Sequence, residues 1–133
     1  MPAYNFQPQF ADAVQSGEKR QTIRAIGKRS HATPGQPIQL YTGMMHKTCR
    51  KLIKPDPVCT AVQRIRIEKF AGKNGEADYF AMYLDGEVMF KHEVRDLAIN
   101  DGFDSPQAFF QFFDQTYFKK NGDWPFNGLL IRW

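Results

Sequence analysis

The stretch that decides how this chain is interpreted is GEKRQTIR, residues 17–24. Before it, residues 8–16 place apolar side chains at helical spacing, which predicts a short helix that begins at a proline. Gly17 suits the left-handed position that ends such a helix. Residues 21–25 are predicted to form a strand, so the stretch runs from a helix end through a turn into a strand.

Side chains alternate between the two faces of a strand, so Ile23 is expected to point into the core. Thr22 and Arg24 then share the opposite face, and Lys19 lies in the turn before them, where it can curl over that face. This arrangement predicts an anion-binding patch that contains one candidate nucleophile, the Thr22 hydroxyl. Nearby segments add further candidate ligand-binding side chains: Arg20, Lys28, Arg29, His31 and Tyr41.

The rest of the chain predicts several strands, one early helix and two late helices. Strands are expected at residues 3–6, 21–25, 38–42, 58–70, 79–84 and 128–133, and late helices at 92–100 and from Ser105-Pro106 onward. The last helix is rich in phenylalanine, and its spacing favours core packing, with Phe109 and Phe113 buried, over base stacking. Because strands and helices do not alternate regularly, we expect an α+β fold rather than a doubly wound parallel sheet.

The composition is that of a globular protein, with 42% hydrophobic and 24% charged residues in 133. Residues 1–70 hold twelve lysines and arginines against four acidic residues, a net charge of +8, which leaves −4 for the remainder of a chain whose total is +4. This asymmetry favours an anionic partner, most often phosphate. With no apolar run of membrane-spanning length and no signal-peptide pattern, we expect a single cytoplasmic domain over residues 1–133 without a membrane partner.

Cys49 and Cys59 are the only cysteines, and the expected cytoplasmic location favours free thiols. His46 with the two cysteines has a spacing compatible with zinc but lacks a fourth ligand. We therefore expect no metal and no other cofactor.

The pattern Gly-x-Lys-x-x-Thr-x-Arg, carried here by Gly17, Lys19, Thr22 and Arg24, resembles the signature of the ASCH family. Two further stretches are similar to that family in the same order. They are PGQPIQL at residues 34–40, and AINDGFDS at residues 98–105 with the aromatic helix and the ending GLLIRW at 128–133. The basic insert around residues 42–51 resembles versions of the domain found in phage and prophage genomes.

The resemblance implies a PUA-like mixed β-barrel with one early helix and two C-terminal helices packed outside it. It also implies a cleft that binds RNA. Some small members of the family are amidohydrolases that deacylate N4-acetylcytidine, which would assign the catalytic roles here to Lys19, Thr22 and Asp101. Asp101 is one methylene shorter than the glutamate of those members.

The sequence therefore predicts two functions of different classes, with a general interaction module as the third alternative. In the first, the basic cleft binds RNA or a nucleotide, with Arg24 and Arg29 on phosphate oxygens and His31 or Tyr41 stacked on a base at the rim. In the second, Thr22 attacks an N4-acyl group while Lys19 acts as base or oxyanion stabiliser and Asp101 transfers the proton. Both hypotheses predict that one pocket is lined by Lys19, Thr22, Arg24 and Asp101.

Overall fold

The computed structural model describes residues 2–122 and 125–133 and shows an α+β fold. Its strands are β1 (Ala3–Phe6), β2 (Gln21–Ala25), β3 (Gln39–Thr42), β4 (Arg50–Lys51), β5 (Ala61–Phe70), β6 (Tyr79–Leu84), β7 (Glu87–Val88) and β8 (Phe126–Arg132). Its helices are α1 (Pro8–Ser16), α2 (Lys91–Asn100), α3 (Pro106–Phe113) and the short α4 (Lys119–Asn121), with a π-helical segment, Asp114–Phe118, joining α3 to α4.

The strands form two hydrogen-bonded sheets. The smaller has the order β1-β3-β4, with β1 and β3 parallel, and the larger has the order β2-β8-β5-β6-β7 with antiparallel neighbours. The strand β2, which carries Thr22 and Arg24, is thus an edge of the larger sheet and is hydrogen-bonded only to β8 within it.

The two faces of β8 show how the layers stack. Ile131 packs into a cluster with Tyr4 and Leu40 of the smaller sheet, whereas its neighbour Leu130 packs into a second cluster with Leu97 of α2. This follows from the alternation of side chains along a strand. The larger sheet is therefore covered by the smaller sheet on one face and by the late helices on the other.

Most predicted elements are confirmed, with differences at the ends. Gly17 ends α1 with φ 87°, and the Ser105 hydroxyl accepts a hydrogen bond from the Ala108 amide at the start of α3. The strand expected at 58–70 begins only at Ala61, because Val58 makes a single isolated bridge to Pro37. The strand expected at 128–133 instead spans Phe126–Arg132, and the two-residue strands β4 and β7 were not predicted.

The aromatic residues of α3 belong to the core, as their spacing predicts. Phe109 and Phe113 are 0% and 6% exposed and pack against Phe103, Phe110 and Phe126. They fill the space between the larger sheet and the late helices. Within the described part of the chain, no helix has the length and apolar character needed to cross a membrane.

Candidate functional site

A cavity of about 150 Å³ lies where the edge strand β2 meets β1, α1 and the ends of the late helices. We call it the Lys19 cavity. Lys19, Thr22, Arg24 and Asp101 all contribute to its wall. The structure thus brings together the four side chains that the sequence placed in one pocket, although Asp101 lies 82 residues after Lys19.

The turn after α1 positions Lys19. The Lys19 amide donates to the Ala13 carbonyl at 2.9 Å, which folds the chain back beneath the helix. The ammonium group then lies 5.1 Å from the centre of the Phe10 ring, in the range of a cation–π contact. Only 4% of the Lys19 side chain is exposed, so a lysine that looks solvent-facing in the sequence is a buried group.

Asp101 is the residue that follows α2, and it is the partner of Lys19. The Lys19 Nζ lies 3.1 Å from the Asp101 Oδ1 and also donates to the Asp101 backbone carbonyl. Gln21 donates to the same carboxylate oxygen at 3.2 Å and to the carbonyl of Leu97. A carboxylate at a helix C-terminus is unfavourable by itself, so the two donors explain how Asp101 is tolerated there.

Burial changes the acid–base properties of this pair. It lowers the pKa of Lys19, a shift that Asp101 partly offsets and Arg24 reinforces. Burial also raises the pKa of Asp101, against the opposing effects of Lys19 and Gln21. Since the two pKa values are moved towards each other, the pair is better suited to exchanging a proton than a lysine and an aspartate in water.

Arg24 and Thr22 form a second polar unit in the same wall. The Nε of Arg24 donates to the Thr22 hydroxyl at 3.0 Å, and its Nη2 donates to the Asn5 carbonyl at 2.8 Å. Arg24 thereby links the larger sheet to β1 of the smaller one. Burial, followed by repulsion from Arg29, lowers the pKa of Arg24 to about 10, so it remains a cation at neutral pH.

Among the described residues, Arg24 has no carboxylate within ion-pair distance. A partly buried guanidinium with no ion-pair partner, in the wall of a cavity, can donate hydrogen bonds to a bound ligand. The Lys19 cavity therefore carries one cation in a direct ion pair and a second, Arg24, on which Asp101 acts only from beyond ion-pair distance.

Phenylalanine rings complete the wall. Phe10, Phe103 and Phe112 contact one another, with the Phe10 ring 5.3 Å from Phe103 and 6.2 Å from Phe112. The cavity thus combines an apolar aromatic side with a polar side that offers donors and one carboxylate, as small-molecule sites do.

His31 and Tyr41, which were expected at the rim, do not line this cavity. The Nε2 of His31 is 3.1 Å from the Ala25 carbonyl, which can only accept, so Nε2 carries the proton and Nδ1 accepts from the Tyr4 hydroxyl. His31 is therefore occupied in holding its loop to β1. Tyr41 lies on β3, where its ring contacts the Lys51 ammonium at 5.7 Å.

The remaining predicted basic residues also lie outside the wall. Arg20 is exposed beside Arg132 and Trp133, and Lys28 is exposed in the loop after β2. Arg29 is linked to the site through Tyr4. Its guanidinium lies 4.8 Å from the centre of the Tyr4 ring, and the Arg24 guanidinium lies 5.2 Å from the centre of the same ring. Arg29 acts on the cavity through Arg24, whose pKa it lowers by repulsion.

Gln21, which donates to the Asp101 carboxylate, is a polar residue that the sequence interpretation missed. Alternation put it on the core face of β2 with Ile23, and it is indeed buried at 3% exposure. An amide at a core position needs a buried hydrogen-bond partner, so its presence there was a signal for a polar group on the neighbouring element. That group is the Asp101 carboxylate.

The two cysteines lie in different environments, because Cys49 is exposed and Cys59 is buried. Burial raises the pKa of the Cys59 thiol. Across residues 2–122 and 125–133, no group of three or more histidine, cysteine or acidic side chains is arranged to hold a metal ion.

Comparison with other proteins gave no family model, no curated protein and no solved structure that matches this chain.

Proposed function

We propose that this chain is an ASCH-type domain of PUA-like barrel architecture that binds RNA or a nucleotide by holding a pyrimidine base in the Lys19 cavity. The observation that carries the proposal is the Arg24 guanidinium, which has no ion-pair partner among the described residues, in a cavity wall that also offers the Asp101 carboxylate. The signature shared with the ASCH family supports the same function.

The size of the cavity favours a single ring. A protein cavity of about 150 Å³ accommodates one benzene-sized molecule. A six-membered pyrimidine meets that limit, whereas a purine is larger. The rings of Phe10 and Phe103 offer an aromatic surface against which a base can pack.

The polar groups match cytosine better than uracil. Cytosine presents an amino donor beside ring acceptors, and a carboxylate such as Asp101 accepts from that amino group. Lys19 and Arg24 supply donors for the acceptors. Uracil carries a carbonyl where cytosine carries the amino group, and this carbonyl would face the Asp101 carboxylate.

The proposal is tested by calorimetric titration of the protein with CMP and UMP at low salt. We expect CMP to bind more tightly than UMP, and Arg24→Gln to weaken CMP binding about tenfold or more, because a hydrogen bond to a charged group contributes about 1.5–3 kcal/mol. Arg95→Gln is the matched control, since Arg95 is an exposed arginine that does not line the cavity.

Circular dichroism of Arg24→Gln accompanies the titration, because Arg24 also bonds to β1. A folded Arg24→Gln variant with unchanged CMP affinity would contradict the proposal. Equal binding of CMP and UMP would remove the assignment of Asp101 to the base amino group.

A second candidate function, amide hydrolysis of an N4-acylcytidine, is favoured by the buried contact of 3.1 Å between Lys19 Nζ and Asp101 Oδ1, two groups whose pKa values are shifted towards each other. In this reaction the Thr22 hydroxyl, oriented by Arg24, attacks the acyl carbon and Lys19 in its neutral form takes the hydroxyl proton. Asp101 in its acid form donates a proton to the leaving cytosine amine as the C–N bond breaks. Water then cleaves the acyl-threonine ester and releases the acid.

The second function is tested by following deacetylation of N4-acetylcytidine by chromatography. If the chain is a hydrolase, Thr22→Val is expected to lower the rate by at least about a hundredfold, and Thr22→Ser to retain activity, since only the hydroxyl reacts. Asp101→Glu restores the carboxylate length of the hydrolytic ASCH members. Activity that is absent in the wild type and appears with Asp101→Glu would identify the natural chain as a binding protein.

A further inference from the structure

A second cavity, of about 510 Å³, lies next to the Lys19 cavity. We call it the loop cavity, because residues 43–50 form one of its sides and the start of α1 forms another. The two cavities share three wall residues, Asn5, Phe6 and Gln7. A ligand that extends out of one cavity across this short segment therefore reaches the other cavity.

The loop cavity has the chemistry of a phosphate and sugar site. Its wall includes Arg50, His46 and Thr48, which offer a guanidinium, an imidazole and a hydroxyl, and one acidic residue, Asp12. Arg50 donates to the Gln15 amide oxygen at 3.0 Å, and in the described part of the chain it has no carboxylate within ion-pair distance. Its charge is therefore available to a bound anion, and a guanidinium is suited to phosphate.

The loop is held in place before any ligand binds. The Met44 amide donates to the Asn5 side chain at 2.9 Å, which ties the loop to β1. Gly43 has φ +67°, and a Cβ there would lie 2.8 Å from the Thr48 hydroxyl oxygen, so the loop closes tightly on itself. A fixed loop reduces the ordering cost of binding.

One apolar side chain on this loop is left uncovered. Met45, between the wall residues Gly43 and His46, is 97% exposed. A methionine thioether makes favourable contacts with aromatic rings, and a nucleobase offers such a ring. The loop thus presents a cation for a phosphate and an apolar group for a base.

We propose that the loop cavity binds the nucleotide adjacent, along a single RNA strand, to the one whose base occupies the Lys19 cavity. Arg50 contacts the phosphate and Met45 covers the neighbouring base. The inference rests on the proposed function and deepens it, because it makes the ligand a polynucleotide strand rather than a free nucleoside. The volume of the loop cavity falls in the range of sites that hold small organic ligands.

The test compares CMP, whose base occupies the Lys19 cavity and which has no neighbouring nucleotide, with the trinucleotide CpCpC, which places a second nucleotide in the loop cavity. We expect Arg50→Gln to weaken CpCpC binding about tenfold and to leave CMP binding unchanged. In Arg50→Gln the slope of log affinity against log salt for the trinucleotide should also become smaller in magnitude by about 0.7. Asp12→Asn removes the one acidic wall residue and should strengthen CpCpC binding several-fold, so the two variants change affinity in opposite directions. Arg95→Gln is again the control.

The outcomes separate this inference from the proposed function. If CMP binds but CpCpC binds no more tightly, or if Arg50→Gln weakens both probes equally, the loop cavity is not a nucleotide site and the proposed function stands. If the wild type binds neither probe at low salt, both proposals are wrong. Opposite effects of Arg50→Gln and Asp12→Asn, confined to the trinucleotide, support the inference.

Discussion

Replacing Lys19 by methionine is expected to lower the free energy of unfolding at pH 7 by about 3–5 kcal/mol, because it leaves the Asp101 carboxylate buried without its partner. Removing both charges with Lys19→Met and Asp101→Asn together should recover at least half of the loss. The part that is not recovered includes the hydrogen bond from Lys19 to the backbone carbonyl of residue 101. Urea denaturation followed by circular dichroism measures both values.

The loss of stability in Lys19→Met is expected to depend on pH in a direction that the pKa of Asp101 determines. Burial raises the pKa of Asp101, and Lys19 opposes that shift, so without Lys19 the pKa is raised further. A carboxyl group whose pKa is higher in the folded state stabilises the fold below its unfolded pKa of about 3.9 and loses that contribution as the pH rises through the folded value. The difference between the wild type and Lys19→Met should therefore be smallest near pH 4 and grow towards pH 7.

Lys73→Met controls for the loss of a lysine as such. Lys73 is exposed in a turn, and a surface substitution of this kind is expected to change stability by no more than about 0.5 kcal/mol. If Lys19→Met behaves like Lys73→Met, or if its effect does not depend on pH, then the buried pair does not hold this site together.

Replacing Gly102 by alanine is expected to cost about 2–5 kcal/mol, the second large effect on stability. The residue has φ +100°, and a Cβ there would lie 3.0 Å from the Phe10 ring and 3.4 Å from the Lys19 side chain. The left-handed backbone costs about 1–2 kcal/mol for alanine, and overpacking adds about 1–3 kcal/mol. Thermal and urea unfolding measure the sum, and weaker CMP binding is expected because Phe10 and Lys19 line the cavity.

Gly86→Ala is a matched control for Gly102→Ala. Gly86 also has a positive φ, of +84°, but a Cβ there meets no atom within 4 Å. It should show the backbone cost alone, about 1–2 kcal/mol, with no effect on CMP binding. Equal costs for the two alanine variants would mean that Gly102 does not make room for Phe10 and Lys19.

Some features of the site could be predicted because short-range rules determine them. Gly17 ends a helix, Ser105 begins another, and alternation along β2 separates Thr22 from Ile23. Each of these features depends only on residues that are close to it in the sequence. The strand ends were less accurate, because whether Val58 or Ala61 begins a strand depends on a partner strand and not on its own side chain.

Other features required the tertiary structure. The position of His31 in the loop after β2 predicted that it lies near the site, but its ring is bonded to Tyr4, a residue 27 positions earlier. The strands predicted for one barrel fall into two hydrogen-bonded sheets. No local pattern specifies which strands pair, because pairing depends on the burial of whole faces against distant segments.

The sequence by itself determined that a lysine, a threonine and an arginine flank the turn and first strand after α1, since a helix end and a period of two are local properties. Only the tertiary structure decided that Lys19 is buried against Asp101 and that Gln21 joins them, because these contacts link residues 80 or more positions apart. In the described part of the chain, the same packing left Arg24 without a carboxylate within ion-pair distance. The charged residues were therefore evident in the sequence. Which cation forms the ion pair with Asp101 depends on how β2 packs against the end of α2.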